Sequence, residues 1–207
     1  MPISDPPLAE RARYAVAVLA AGQSRRFGPS DKLAASFQGK RLGELACQTL
    51  AELDFAYRWV IASRADHPCG PSWQEAGFAI AVNAQAASGI GSSVALAATL
   101  ALDANADGLL IALADMPLVA SDHYQALLAR AAAIGPGAIV ASSANGVRMP
   151  PAAFGRDRLT ALATMTGEVG ARALLHQAEA VACAPDLLID IDTAQALKQA
   201  TTRGIQG

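Results

Sequence analysis

Residues Tyr14–Ala20 read YAVAVLA and residues Gly108–Leu113 read GLLIAL. Both runs are uncharged from end to end, and neither alternates between apolar and polar positions. A strand with one face in water alternates, whereas a strand covered on both faces is apolar throughout. Such strands, separated by helical stretches, require a parallel sheet with helices on both sides. The spacing between them supplies those helices. Over Arg41–Leu53 the residues Leu42, Leu45, Ala46, Thr49, Leu50 and Leu53 fall on one side of a helix. Further strands are expected at Arg58–Ala62, Phe78–Val82 and Ala138–Ala141, with helices at Ser92–Leu102 and Asp122–Ala133. The glycines and proline of Gly135–Gly137 end the latter. The stretch DHPCGPSW, residues 66–73, reads as a loop by its proline and glycine content. In NGVRMPPAAF, residues 145–154, a turn leads into an irregular or edge strand, because prolines are excluded from central strands. Helices at Arg156–Met165 and Val169–Gln177, a strand at Leu187–Ile191 and a last helix from Thr193 complete the expectation.

Bulk properties narrow the class of function. The 207 residues suit one domain, with residues 1–12 as a flexible arm before the first strand. A net charge of -2 offers no basic face for nucleic acid or acidic lipid. Although 53% of residues are hydrophobic, no uninterrupted apolar run is long enough to span a bilayer. The N-terminus lacks the pattern of a secretory signal. Cys47, Cys69 and Cys183 make no C-x-x-C spacing, and His67, His123 and His176 are equally dispersed, so all six read as core or surface residues. A reducing, cytoplasmic setting is expected.

In an open parallel sheet, ligands bind beyond the carboxyl ends of the strands. Four polar features fall there. The loop after the first strand, LAAGQSRRFGPSDKL, places Leu19, Ala20, Ala21 and Gly22 where backbone N–H groups can approach an anion, followed by Ser24, Arg26 and Lys32. Arginine suits bidentate phosphate contact and lysine supplies a compact charge. The chain has three lysines against thirteen arginines, which makes Lys32 conspicuous. The loop matches neither G-x-x-x-x-G-K-[ST] nor G-x-G-x-x-G. Asp115, in LADMP, ends the most apolar strand, where an unpaired carboxylate is costly. Its expected partner is a cation, and Mg²⁺ is commonly held by one or two carboxylates plus substrate phosphates. In DIDTAQAL, Asp190 and Asp192 alternate with isoleucine and point the same way from an extended strand end, so either suits a second ligand position. Asp192 also suits a helix cap. In VNAQAASGIGSS, Asn83 offers an amide suited to a nucleobase edge, and a loop containing Gly89 and Ser93 enters the next helix.

Taken together, these segments resemble the nucleotidyltransferases of the molybdenum cofactor type, the MobA-like NTP transferase superfamily. LAAGQSRRFGPSDKL is similar to their L-A-[AG]-G-x-S-x-R-[MF]-G-x(2,3)-K-L signature. NAQAASGIGSSV, LADMP, TGEVGARALL and DIDTAQAL resemble the remaining family segments, in the family's order from residue 18 to residue 197. The resemblance implies a Rossmann-like three-layer α/β/α fold with a mostly parallel sheet, of the nucleotide-diphospho-sugar transferase type. It implies one nucleotidyltransferase domain over residues 1–207, with residues 142–186 on the acceptor side. It places Leu19, Ala20, Ala21, Gly22, Ser24, Asn83, Gly89 and Ser93 around a nucleoside triphosphate. Arg26, Lys32 and Asp115 are the catalytic expectations, and Asp115 with Asp192 the ligands of Mg²⁺ or Mn²⁺. LAAG with DMP looks like the cytidylyltransferase branch. That branch transfers CMP from CTP to molybdopterin cofactor and releases pyrophosphate, with a molybdenum enzyme as a further partner. No general base is needed when the acceptor is an ionised phosphate.

The departures from the family pattern gather on the acceptor side. Met149 stands where a G-H-P triplet has histidine, Glu168 replaces an aspartate, and Ala194 replaces a proline. Arg148, Met149, Glu168 and Arg172 are the expected acceptor-side residues. Two alternatives are therefore open: transfer to a sugar phosphate or other small phosphorylated metabolite, and a non-catalytic accessory that binds nucleotide or molybdopterin.

Overall fold

The computed structural model describes residues 13–22, 27, 31–167 and 174–204. Its centre is strand β1 (Tyr14–Ala20), buried at every position. Strands β4 (Tyr57–Ala62) and β6 (Gly108–Leu113) pair with it on either side, both parallel. Adding β5 (Ala79–Val82), β7 (Ile139–Ala144), β8 (Val147–Gly155) and β9 (Glu179–Ala182) gives a seven-stranded sheet ordered β5-β4-β1-β6-β8-β7-β9. Only β8 runs antiparallel to its neighbours. Alternate residues of β1 face opposite layers. Val16 and Val18 join a core that includes Cys47, Leu50, Trp73 and Leu127. These come from α1 (Leu42–Ala51), α2 (Gly70–Glu75) and α4 (Ser121–Ile134). Ala15, Ala17 and Leu19 join a second core with Val94, Ala98, Leu159 and Leu162 of α3 (Ile90–Asp103) and α5 (Arg156–Ala163). The three-layer α/β arrangement expected from the uniformly apolar strands is the one observed.

A small hairpin stands beside this sheet. Strands β2 (Ser36–Phe37) and β3 (Lys40–Arg41) pair antiparallel. Their two-residue turn has positive φ at both Gln38 (52°) and Gly39 (82°), the combination that matches the twist of a tight hairpin. Phe37 and Leu42 pack against Ile191 and Ala200, the latter on the last helix, α6 (Ala194–Gly204). The hairpin thereby carries the C-terminal segment back to the sheet.

Three local expectations are corrected. The stretch 66–73 is not all loop, because Gly70–Glu75 forms α2 with Pro71 in its first turn, where a missing N–H costs nothing. Leu187–Ile191 is not a strand: Leu187 and Leu188 donate to the carbonyls of Ala184 and Pro185 in a turn. Glu179–Ala182 takes the place beside β7 instead. Finally, the proline-bearing strand β8 is interior, between β6 and β7. It is accommodated by a bulge. Ala141 pairs with Ala152 and the next residue, Ser142, pairs with Met149, so Pro150 and Pro151 are skipped by the β7 ladder. Pairing with β6 begins only at Ala152. No ladder bond is lost to the missing proline N–H groups. The fully buried Ser142 hydroxyl donates to the Pro151 carbonyl (2.8 Å). With that hydrogen committed, His123 Nε2–H donates to Ser142 Oγ (2.8 Å).

Two predictions follow from this packing. A Cβ on Gly155 would lie 2.3 Å from the Pro136 carbonyl oxygen, a backbone atom that cannot step aside alone. Gly155→Ala is expected to lower stability by about 1–3 kcal/mol in denaturant unfolding, and an unchanged midpoint would contradict this packing. Burial holds the His123 imidazole below its ordinary 6.5. The unfolded chain therefore takes up the proton first as pH falls through 6.5, and stability present above that pH is lost below it. Unfolding midpoints should drop between about pH 7 and about pH 5.5, and less steeply in His123→Gln.

Candidate functional site

The carboxyl ends of β1, β6 and β5 lie at one edge of the sheet, and Gly22, Asp115 and Asn83 follow them. After β1, Ala20 and Ala21 are buried while Gly22 is exposed, with no atom of the other described residues within 4 Å of the position its Cβ would take. The chain next turns through a single 3-10 turn, Lys32–Ala34. Asp31 caps it, its Oδ1 accepting from the Leu33 N–H at 3.0 Å. Lys32 is 6% exposed.

Its ammonium is the centre of the site. Lys32 Nζ lies 2.5 Å from Asp115 Oδ2 and 2.6 Å from Asp192 Oδ1. Asp115 follows β6 directly. Ala114 before it is buried and donates to the Leu19 carbonyl, which ties the end of β6 to the end of β1. Asp192 arrives from the other end of the chain. Ile191 is fully buried against Phe37 and Leu42, and its N–H donates to the Asp115 carbonyl at 2.9 Å. One backbone bond and one apolar anchor thus deliver the second carboxylate. Burial works to lower the Lys32 pKa, but attraction and hydrogen bonds from Asp115 and Asp192 outweigh it and hold the ammonium above its ordinary range. Of the two aspartates in DIDT, Asp192 is the one seen to touch Lys32. Asp190 is exposed, and its carboxyl is pushed up by partial loss of hydration, then by repulsion from Asp192 and Asp115.

The two carboxylates suit a divalent ion. Both reach a single cationic centre from different elements, and Mg²⁺ or Mn²⁺ needs only one or two protein carboxylates when phosphates complete its shell. Among the described residues there is no cluster of three or more histidine, cysteine, aspartate or glutamate side chains of the kind that would form an all-protein metal cage.

The loop after β5 is held by Asn83, which is 5% exposed. Its Nδ2 donates to the hydroxyls of Ser92 and Ser93, both at 2.9 Å, and its Oδ1 accepts from the Gln85 N–H. Both hydrogens of the amide are thus spent on bracing the loop, and its oxygen keeps a second acceptor position beside the Gln85 bond. Gly89 has φ 106°, a conformation that side chains disfavour, immediately before α3. Gly91 donates to the Gly167 carbonyl, and a Cβ there would lie 2.2 Å from that oxygen. The start of α3 and the Thr166–Gly167 segment are therefore in backbone contact.

The expected acceptor-side residues that are described make contacts of their own. Arg148 Nε donates to the Ala178 carbonyl at 2.7 Å, and Met149 packs partly buried against the core. Ser24, Arg26, Glu168 and Arg172 lie outside the described residues. Sequence reading missed Asp31 and His67. Their only signal is the capping position of Asp31 two residues before Leu33, and nothing in the sequence brings residue 67 to it.

Comparisons with known proteins establish the family and the fold. Residues 16–181 match the MobA-like NTP transferase domain. The chain is 33% identical over 201 residues to the purine catabolism protein PucB of Bacillus subtilis strain 168, covering 88% of this chain and 94% of that one. Among solved structures, Rv0371c from Mycobacterium tuberculosis H37Rv superposes with a TM-score of 0.77 at 18% identity, covering 92% of this chain and 98% of that one. The same mycobacterial protein has been solved in complex with manganese (TM-score 0.68, 17% identity, 92% and 99% covered). Molybdopterin-guanine dinucleotide biosynthesis protein A from Archaeoglobus fulgidus superposes with a TM-score of 0.64 at 18% identity, covering 93% and all of the two chains. At such identities the structural likenesses concern the fold. The family match, which spans most of the chain and includes Lys32 and Asp115, makes this protein a member of the MobA-like NTP transferase family, whose reaction class is nucleotidyl transfer.

Proposed function

We propose that this protein is a divalent-metal-dependent cytidylyltransferase that moves CMP from CTP onto molybdopterin cofactor and releases pyrophosphate. The observation that carries the reading is the convergence of Lys32, Asp115 and Asp192 where the ends of β1 and β6 are tied together. Attack of one phosphate on another brings negative oxygens together, so the protein's task is alignment and charge neutralisation. Asp115 and Asp192 would hold the Mg²⁺ or Mn²⁺, which supplies charge to the oxygens of the reacting phosphates. Ala20, Ala21 and Gly22 offer main-chain groups to the triphosphate. A glycine at position 22 lets a ligand approach the backbone closely. Lys32 supplies a cation on a flexible stem. Its ammonium and a divalent ion suit the same carboxylates, so with an ion held there the lysine would be available to the phosphates. Arg26 and Ser24 add a fork of donors and a hydroxyl from the same loop. Asn83 keeps the Gly89–Ser93 entrance to α3 in shape for the nucleoside. The acceptor brings its own ionised phosphate, so no protein base is required. The DMP sequence and the likeness to molybdopterin-guanine dinucleotide biosynthesis protein A support a molybdopterin acceptor. The likeness to the purine catabolism protein supports a role for the product in a molybdenum enzyme of purine breakdown.

Thermal-shift measurements with each of the four NTPs, with and without Mg²⁺ or Mn²⁺, test nucleotide choice. Selective, metal-dependent stabilisation by CTP is expected, and an equal response to GTP would reject the cytidylyl assignment. Pyrophosphate release with molybdopterin against a panel of sugar phosphates tests the acceptor. In that assay Asp115→Asn and Lys32→Ala are each expected to lower turnover by at least about a hundredfold with the fold intact. Turnover within tenfold of the unmodified protein in either variant would remove that residue from the chemistry.

A further inference from the structure

Lys32 can serve the site only if the turn that carries it is held in place, and the residues that hold it are other than the two carboxylates. We infer that His67 is a positioning residue: acting through Asp31, it fixes the turn and keeps the Lys32 ammonium in register with Asp115 and Asp192. This rests on the reading of Lys32 given above.

The contacts form a continuous bracket. His67 is 4% exposed. Its Nδ1 accepts from the Cys69 N–H at 3.1 Å, which leaves the hydrogen of a neutral ring on Nε2. Nε2 lies 2.8 Å from Asp31 Oδ2. The other oxygen of Asp31 accepts from Leu33 N–H, so one carboxylate links the imidazole to the turn. The Leu33 carbonyl is taken as well, by Cys69 Sγ at 3.3 Å. Both main-chain groups of the residue after Lys32 are thus bound to the 67–69 segment, directly or through Asp31. That segment is itself fixed. The His67 ring stacks on Trp73 with centroids 4.6 Å apart, and Trp73 Nε1 donates to the Gly43 carbonyl at 2.7 Å. Gly43 closes the bracket, since a Cβ on it would meet Leu33 Cβ at 2.9 Å. A histidine with ring nitrogens used in this way does more than fill a core. It orients a carboxylate, which orients a backbone turn, which aims a lysine.

The test reads Lys32 directly and needs no substrate. With three lysines in the chain, the ¹⁵N ammonium signal of Lys32 can be assigned by its loss in Lys32→Arg. Hydrogen exchange of that ammonium is measured in the metal-free protein and in His67→Phe, His67→Gln and Asp31→Asn. His67→Phe keeps a ring to stack on Trp73 but has no donor for Asp31. Asp31→Asn breaks the same contact from the exposed partner, and it answers the question should His67→Phe fail to fold. Exchange is expected to quicken about tenfold in both, with backbone amide protection in β1 unchanged. In His67→Gln, which keeps an N–H donor, the change should be smaller. Unchanged Lys32 exchange in Asp31→Asn, or loss of protection shared equally by β1, overturns the inference. In turnover, His67→Phe should lower kcat and cost nothing further in a Lys32→Ala background, whereas additive losses would overturn it. Normal turnover of Lys32→Ala alone is a different result: it rejects the role of Lys32 in the proposed function and leaves the exchange measurement valid.

Discussion

A single ammonium group ties together the two ends of this chain and its middle. Lys32 Nζ touches Asp115, 83 residues on, and Asp192, 160 residues on. A largely buried lysine and a largely buried aspartate are tolerated because each neutralises the other, and removing one partner of such a pair is costly, about 3–5 kcal/mol where burial is deep. Asp192 is more exposed, so its share is smaller. The arrangement nevertheless governs the architecture around it. The sheet must end β1 and β6 side by side, the hairpin must present Phe37, and the C-terminal segment must return to seat Ile191. Each of these is a scaffold condition for bringing two carboxylates to one point.

The same requirement explains why the molecule is least regular near its site. Parallel strands deliver side chains to one edge of the sheet, and the connecting loops are then free to vary. Here two of the described segments are braced. The 3-10 turn is bracketed by Asp31, His67 and Cys69, and the Asn83 loop is braced by Ser92 and Ser93. The single antiparallel strand of the seven-stranded sheet, β8, is admitted by a bulge that puts two prolines where no ladder bond is wanted. These devices place polar groups in a partly buried setting without leaving them unpaired, which is the condition for keeping them poised to meet a charged ligand.

Much of the fold was legible in the sequence because burial on both faces leaves an unmistakable pattern. YAVAVLA and GLLIAL admit no other placement than the middle of a covered sheet, and both strands are found at the expected residues. Short elements were not legible. Ser36–Phe37 and Glu179–Ala182 are too brief for periodicity to register, and the helix Gly70–Glu75 is masked by glycine and proline at its start. The prolines of β8 misled because proline's exclusion from central strands is a rule about ladder bonds, and a bulge removes the bonds at issue. At the site, the residue types were readable but their partners were not. Asp115 at the end of an apolar strand demanded a cation, and Lys32 was conspicuous by its rarity, yet nothing local showed that they would meet. Asn83 was noticed for its amide, whose use in bracing a loop only the fold reveals. His67, dismissed as an ordinary core residue, depends for its meaning on a carboxylate 36 residues earlier in the chain.

The central claim is that Asp115 and Asp192 share one divalent ion beside the triphosphate. Anomalous diffraction at the manganese edge, from crystals grown with Mn²⁺ and a non-hydrolysable CTP analogue, tests it most directly. The account predicts a manganese peak bonded to oxygens of both aspartates and to the analogue's phosphates, with the Lys32 ammonium moved off the carboxylates toward those phosphates. A peak at any other position, or an analogue bound with Lys32 still bridging Asp115 and Asp192, would contradict it.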